Sequence, residues 1–423
     1  MASSNSSEPT NHDRSTYIEW VSVKLIKKIG SAEKEHDLTR FITMFSATEN
    51  IHETMVRASF VFNDSGKIFS LLPIIGGERI ILEIKSLMSD SIHTLEYEVY
   101  SAKMESENNS RDQTVTLELI DVMYRKMIQQ YSTSFKDKKI SEFVSDFSKN
   151  VLGRELETVE DTKDKYTFAF PYMRFKNMLK YLNQYAVSGN SKSGSGYKMY
   201  LYYSTLFANH YRSISSLANG EQTEVFREVA NDKVQQNKNF FSAFQFQDTF
   251  DTTLTLMKKG FKSKSQYWDS STKEMVENEH KYQDIVAEQP ILGKASLYEK
   301  TFEDDSNFVY RASTENIKND IVIMSQIYDD AVDITINVKG IMERSCGNVV
   351  KVLFEDWSDF QQKSNENLTG YYLITKIDRA MSRGEYEQVL FLTRTGSMVQ
   401  VSDDQVTSIK KAKAMITTTA KRG

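Results

Sequence analysis

The chain has 423 residues, of which 39% are hydrophobic and 26% charged, and its net charge is −5 at pH 7. This length favours two to four globular units of about 100–150 residues each. Charges of both signs are interspersed, so the sequence offers no broad basic face of the kind that binds nucleic acids. The negative mean hydropathy and the lack of a run of about 18 apolar residues argue against membrane-spanning helices.

Cys346 is the only cysteine, which excludes an internal disulfide and a cysteine-rich zinc site. The N-terminal residues are polar and lack the basic start and apolar stretch of a signal peptide. We therefore expect the chain to be made and kept in the cytoplasm, with residues 1–14 as a disordered leader. Aromatic residues are abundant, with 24 Phe and 22 Tyr against 4 Pro, which favours a β-rich fold.

Alternation of apolar and polar residues predicts a group of strands in residues 15–122. In residues 17–27 valine and leucine alternate with polar residues, and we expect this strand to pair with residues 41–48. The further strands are predicted at residues 54–62, 79–84, 94–103 and 113–122. Six strands at such short spacing predict a first β-barrel domain.

A turn is predicted directly before the strand that begins at Arg79. Pro73 and the pair Gly76-Gly77 precede this strand, and a proline followed by flexible glycines is typical of a turn. The segment is not a phosphate-binding loop, because neither a Lys-Ser or Lys-Thr pair nor a helix follows the glycines.

The apolar spacing changes to a helical period after this first strand group. One helix is predicted over residues 140–151 with Gly153 at its end, and a second over residues 175–182 with Gly189 as its stop. Residues 123–196 are therefore predicted to form a small α/β insert domain.

Residues 197–310 are predicted to hold part of a second barrel together with an accessory region. A tyrosine-rich strand is expected at residues 197–204. Residues 261–288 are strongly polar with scattered aromatics, so we expect an exposed, partly extended segment there. Four phenylalanines form a cluster typical of a core or an interface, namely Phe240, Phe241, Phe244 and Phe246.

Residues 311–400 are predicted to complete this second barrel. Ser313 suits the N-cap of a helix that runs to Ala331, and alternating strands follow the helix. The last two strands, at residues 371–379 and 386–394, form a hairpin whose turn contains Gly384.

The predicted fold class is α+β and β-rich. It consists of two related tube-type β-barrel domains, the small α/β insert and an additional irregular domain, with residues 401–423 as a C-terminal tail. The two strand groups share an order of elements but no visible sequence identity, so the repeat is architectural.

No group of residues in the sequence points to catalysis, a cofactor or a metal ion. None of the six histidines has another four residues away, which removes the paired-histidine motif of zinc proteases. Cys346 lies in a turn-like setting without the base that a nucleophile requires. A peptidoglycan-cleaving enzyme that uses acids such as Glu303 and Asp305 remains an alternative, since sequence does not supply the distance between their carboxylates.

Two stretches resemble the baseplate hub proteins of contractile-tailed phages. Residues 368–394 are similar to the last β-hairpin of that family, and residues 60–80 are similar to its first barrel, where Gly-Glu starts a strand. Residues 240–288 have no counterpart in the family pattern. The positions that carry the resemblance are Gly76, Gly77, Glu78, Gly370, Tyr371, Gly384 and Arg394.

The resemblance implies a structural protein and not an enzyme. It implies a homotrimer in which two barrels per chain form a ring of six around a channel. The implied partners are the central spike protein, the tail tube protein, the tape measure protein and the surrounding baseplate wedge proteins. It implies no cofactor and no stable binding to nucleic acid. The protein would assemble in the host cytoplasm and act in the virion, in tail assembly and genome ejection.

Further hypotheses stay open from the sequence alone. In one of them, the chain is another tail component or the hub of a related contractile injection system, since type VI secretion spike proteins carry a similar module. Alternatively, it is a host-surface binding module that uses residues 261–288. In the hub hypothesis, the hairpin at residues 371–394 closes the second barrel and presents an edge to a neighbouring subunit.

Overall fold

The fold is known from a computed structural model. It describes residues 18–29, 32–65, 74–86, 91–106, 113–189, 199–230, 233–234, 237–247, 262–269, 272–281, 308–312, 332–356, 363–364, 368–382 and 385–394. Five predictions fall outside these residues, namely the leader, the helix that begins near Ser313, the acids at 303 and 305, the turn at Gly384 and the C-terminal tail.

Seven strands come first in the chain. They are β1 Ile18–Ile29, β2 Ala32–Asp37, β3 Ile42–Asn50, β4 Arg57–Asn63, β5 Arg79–Ser86, β6 Ile92–Ser106 and β7 Gln113–Asp121. Apart from the exposed β2, these strands confirm the ones that the sequence predicts in this region. In β5, for example, every second side chain is buried and points to the core.

Helices and short strands alternate in the next part of the chain, which we call the insert. Its elements are α1 Tyr124–Ile128, β8 Gln130–Lys139, α2 Ile140–Phe147, β9 Leu156–Val159, β10 Lys165–Arg174, α3 Phe175–Leu182, β11 Tyr200–Ser204, β12 Asn209–Ser213 and α4 Ile214–Ala218. Among the described residues no helix is long and apolar enough to cross a membrane.

Two helix ends in the insert test the sequence predictions. A π-turn, Ser148–Leu152, extends α2, and Gly153 ends it in the left-handed conformation at φ 79°, as predicted. The prediction that Gly189 stops the second helix is wrong. α3 ends at Leu182 with Asn183 as its C-cap, because the chain there turns back toward the core of the insert.

Strands dominate the last part of the described chain. They are β13 Gln222–Glu228, β14 Phe240–Phe241, β15 Phe244–Gln247, β16 Lys262–Asp269, β17 Glu274–Lys281, β18 Phe308–Ala312, β19 Val332–Lys339, β20 Val349–Leu353, β21 Glu355–Asp356, β22 Lys363–Ser364, β23 Gly370–Ser382 and β24 Tyr386–Arg394. β16 and β17 form a hairpin with β18 beside it, so the described part of residues 261–288, namely 262–269 and 272–281, contains the extended backbone that the sequence predicts.

One sheet of 14 strands contains two halves with the same topology. In the first half the strand order is β3-β4-β7-β6-β5-β1-β2. In the second half it is β15-β19-β24-β23-β20-β13-β14. Numbering each set of seven along the chain gives the same order twice. Only β13 differs in direction, because it is parallel to β20 whereas β1 is antiparallel to β5.

The partner predicted for the first strand is wrong. β1 pairs with β2 and β5, whereas β3, which contains most of residues 41–48, pairs with β4 and β23. The physical reason is that β2 is an exposed strand of alternating charges and has no apolar face that periodicity could detect.

Three hydrophobic cores lie under these elements. The first half and the second half each have a core, and the insert has its own around α2 and α3. The cores of the halves interlock, because Met342, Met381 and Tyr386 of the second half pack into the first core. In exchange, Ile51 of the first half packs into the second core.

Candidate functional site at the junction of the two halves

Two strands that are far apart in sequence join the halves. β3 pairs antiparallel with the C-terminal part of β23, from Met44 opposite Ser382 to Asn50 opposite Lys376. The Ile51 amide continues the pairing by donating to the Thr375 carbonyl at 3.0 Å. We call this strand pair, together with the loop of residues 340–348 that packs beside it, the junction.

A buried carboxylate lies at the centre of the junction. Glu49 is fully buried, and its Oε1 accepts hydrogen bonds from the Leu206 amide at 3.0 Å and the Arg379 Nη2 at 2.8 Å. Its Oε2 accepts from the Cys346 amide at 3.1 Å. These donors belong to the β11–β12 turn, to β23 and to the loop of residues 340–348. A single side chain therefore holds the first half, the insert and the second half together.

The guanidinium of Arg379 is the cationic partner of Glu49. It is buried and also donates to the Ile341 carbonyl at 3.2 Å, the Tyr386 hydroxyl at 2.5 Å and the Arg344 carbonyl. Burial by itself lowers the pKa of Arg379, but the Glu49 carboxylate and the Tyr386 hydroxyl outweigh it and raise this pKa above its usual value. The side chain therefore stays charged inside the junction.

A second ion pair fixes the loop of residues 340–348 to the second half. Arg344 forms a bidentate pair with Glu224 of β13, at 2.7 and 3.1 Å, and its guanidinium lies over the ring of Phe226. The same guanidinium donates to the Lys339 carbonyl at 3.0 Å and to Gln388 of β24. A network of this kind leaves few buried donors unsatisfied, which is the condition under which buried charges persist.

The loop of residues 340–348 is also held by close packing. Gly340 lies against the ring of Tyr386, and an added Cβ would approach that ring to 2.3 Å. Cys346 is buried, and burial together with Glu49 raises the pKa of its thiol well above the usual value. A protonated, buried thiol is a poor nucleophile, so Cys346 acts here as a packing residue.

The predicted turn before β5 has a structural reason at each position. Gly76 and Gly77 have φ values of 95° and 88°, which only glycine adopts readily. The Glu78 carboxylate folds back onto the turn, accepting from the Ile75 amide at 3.1 Å and the Gly76 amide at 2.9 Å. Lys27 of β1 lies 3.5 Å from the same carboxylate. These contacts fix the start of β5.

The predicted closing hairpin is β23 and β24, which pair antiparallel from Leu373 to Met381. Gly370 is buried at the start of β23, and beside it Tyr371 is 36% exposed. Arg394, at the end of β24, is buried and donates to the Leu368 and Thr369 carbonyls at 3.3 and 3.4 Å. The last described residue of the hairpin thus anchors the segment that leads into its first strand.

The prediction that this hairpin presents an edge to a neighbour is wrong. β24 pairs with β19 on one side and β23 on the other. β23 pairs with β24 on one side, and on the other with β20 and then β3. Both strands therefore lie inside the sheet of a single chain.

The charged residues of the junction were not predicted from the sequence. Glu49, Arg344 and Arg379 are buried, whereas charged side chains usually face solvent, so residue type alone did not indicate their position. A charge in register with core positions of a strand was the available signal at Glu49. Within the described residues there is no group of three or more potential ligands that could hold a metal ion.

Two solved structures share this architecture. A tail protein from prophage MuSo2 of Shewanella oneidensis superposes with a TM-score of 0.55 at 11% identity, over 88% of this chain and 99% of that one. The tail protein from Neisseria meningitidis MC58 superposes with a TM-score of 0.51 at 10% identity, over 89% and 97% of the two chains. The chain has the fold of these phage tail proteins.

A type VI secretion system component of E. coli aligns with 88% of this chain and 76% of its own length, with a TM-score of 0.43 at 8% identity. No protein-family profile and no curated protein sequence matches the chain. At identities near 10%, the likeness of the tail proteins shows the fold alone.

Proposed function

We propose that the chain is a structural hub protein of a contractile tail baseplate. In this proposal three copies form a ring that joins the tail tube to the central spike and surrounds the channel for the tape measure protein and DNA. Each half of the large sheet forms one tube-type barrel, so that the ring contains six.

The observation that carries the proposal is the repeated seven-strand topology within a fold shared with phage tail proteins over nearly the whole chain. A ring with six similar positions needs two similar units in each of three chains, and the two halves supply them. The resemblance of the turn at Gly76 and of the closing hairpin to hub proteins, seen in sequence, points to the same class.

The junction supports a structural role in mechanical terms. A hub that transmits force from sheath contraction to a spike needs its two barrels to move as one body. The two halves are joined by the pairing of β3 with β23, by the buried ion pair of Glu49 and Arg379, and by their interlocked cores. Each of these contacts opposes relative motion of the halves. The described residues of the junction are engaged in packing and hydrogen bonding.

The oligomeric state tests the proposal. Purified protein should show the mass of three 48.8 kDa chains by light scattering coupled to size-exclusion chromatography. Antibody labelling of the particles should then place the chain at the baseplate end of the tail. A chain that stays monomeric at high concentration and in the presence of its spike, or that is absent from tail particles, would overturn the proposal.

A further inference from the structure

The two halves match at individual hydrogen bonds as well as in strand order. In the first half the Gly77 amide donates to the Val99 carbonyl, and the Val99 amide donates to the Glu78 carbonyl, both at 2.7 Å. In the second half Gly347, Ile374 and Asn348 make the same pair of bonds, at 2.8 and 2.9 Å. Both glycines have a φ of 88°. Val99 of β6 therefore corresponds to Ile374 of β23.

A bulge follows each of these residues. The register between β6 and β7 shifts between Val99 and Ser101, which leaves Tyr100 as the extra residue. The register between β23 and β24 shifts between Ile374 and Lys376, which leaves Thr375 as the extra residue. The correspondence thus continues past the bulge and pairs Ser101 with Lys376.

Beyond the bulge the two strands have different neighbours. In β23, residues 376–382 pair with β3, which is the junction. In β6, pairing with β5 ends at Glu98, and among the described residues the segment after the bulge has β7 as its sole partner strand. Two large apolar side chains are exposed here, Tyr100 in the bulge at 63% and Met104 after it at 45%.

The counterpart of β3 in the second half is β15. β3 lies between β4 and β23, whereas among the described residues β15 pairs with β19 alone. β2 is a further edge strand of the sheet, but it differs from β15 in composition. Its side chains are exposed and mostly charged, a composition that discourages pairing with another chain.

We infer that β15 of one copy pairs antiparallel with residues 101–106 of β6 in a second copy, which repeats the junction between chains. This inference rests on the proposed ring of three chains. A closed ring of six similar units needs the contact between chains to resemble the contact within a chain. Among the described residues, β15 and residues 101–106 of β6 are the counterparts of the two strands that pair in the junction.

The repeat also fixes the register of this contact. The row Phe45, Phe60, Leu117 and Ala102 crosses the first half as the row Phe244, Ile336, Leu390 and Ile377 crosses the second. Because Ala380 lies opposite Ser46 in the junction, Glu105 should lie opposite Gln245 of the second copy. Met104 would then be covered by the neighbouring strand.

Cysteine cross-linking tests this register. Glu105 and Gln245 are both exposed, and opposite residues of antiparallel strands have Cα atoms about 4.5–5.5 Å apart, within the range for a disulfide. The double variant Glu105→Cys with Gln245→Cys should oxidise to covalent dimers and trimers and stop there. The matched control, Glu105→Cys with Glu35→Cys on the charged edge of β2, should not cross-link.

A second variant tests the same surface without a disulfide. Met104→Asp should weaken assembly of the trimer by about a hundredfold or more, because the contact would bury an unpaired charge. Ile92→Asp is the control. Ile92 is exposed on the same strand, but in the part that β5 already covers.

The outcomes separate the contact from the ring. Trimers that form in solution but do not cross-link through Glu105 and Gln245, and that tolerate Met104→Asp as well as Ile92→Asp, would overturn the inferred contact and leave the proposed ring standing. A chain that stays monomeric would overturn both. Cross-linked chains that extend beyond three copies would contradict the closed ring.

Discussion

Removing the charge of Glu49 is the sharpest perturbation of the junction. Glu49→Gln keeps the volume of the side chain but offers one oxygen where the carboxylate offers two. At 2.8 Å and an effective dielectric constant of about 20, the attraction between Glu49 and Arg379 is about 6 kcal/mol, part of which offsets the cost of burying both charges. Breaking a buried pair from one side costs about 3–5 kcal/mol, because the other charge stays buried.

We therefore expect Glu49→Gln to lower the free energy of unfolding by about 3–5 kcal/mol, measured by urea denaturation at constant m-value. The control is Glu53→Gln. Glu53 pairs with Arg57 at the surface, where both side chains are exposed, so its loss should cost at most about 1 kcal/mol. Arg379→Met should cost less in the Glu49→Gln background than in the natural protein, because the two residues are coupled.

Equal, small losses in the free energy of unfolding for Glu49→Gln and Glu53→Gln would contradict a tightly buried ion pair at the junction. They would show that water reaches the junction or that strand pairing alone holds the halves. Additive losses at Glu49 and Arg379 would contradict the direct pairing of their charges.

Three further predictions follow from the same packing. Cys346 should react much more slowly with a thiol reagent in the folded protein than in urea, because burial raises its pKa; equal rates would contradict its burial. Gly347→Ala should lower the free energy of unfolding by about 2 kcal/mol or more, and Gly77→Ala by about 1 kcal/mol, both measured by urea denaturation. Both glycines have a φ of 88°, but only the methyl group added at position 347 would meet a buried side chain, that of Tyr203, at 2.7 Å. Burial lowers the pKa of His210, so stability present above about pH 6.5 should fall as the pH drops, and His210→Gln should reduce that fall.

Local elements were predictable because their signals are local. The alternation in β5, the helical spacing of α2 with Gly153 at its end, and the hairpin of β23 and β24 each depend on residues within one element. The structure confirms all of these. The β-rich class follows from the same patterns, and the fold shared with phage tail proteins agrees with it.

Strand partners were not predictable in the same way. β2 has no buried face, so its alternation is absent and the partner of β1 was misjudged. β3 meets β23 across more than 300 residues, as the bond from Thr48 to Asp378 shows, and no local pattern specifies that contact. The edge assigned to the closing hairpin failed for this reason, because β3 of the same chain occupies it.

Buried charges were the other gap. Glu49 lies in register with the core positions of β3, but the cation that pairs with it, Arg379, lies 330 positions away along the chain. The repeat of hydrogen bonds around Gly77 and Gly347 is likewise invisible to sequence. The backbone conformation is kept in both halves, whereas the side chains around it differ.

A projection image of the purified oligomer, viewed along its symmetry axis by electron microscopy, is the decisive measurement for the proposed hub. The proposed hub predicts a closed ring of three chains in which six similar units surround an open channel. A monomer, a ring with another number of chains, or a particle without a central channel would contradict it.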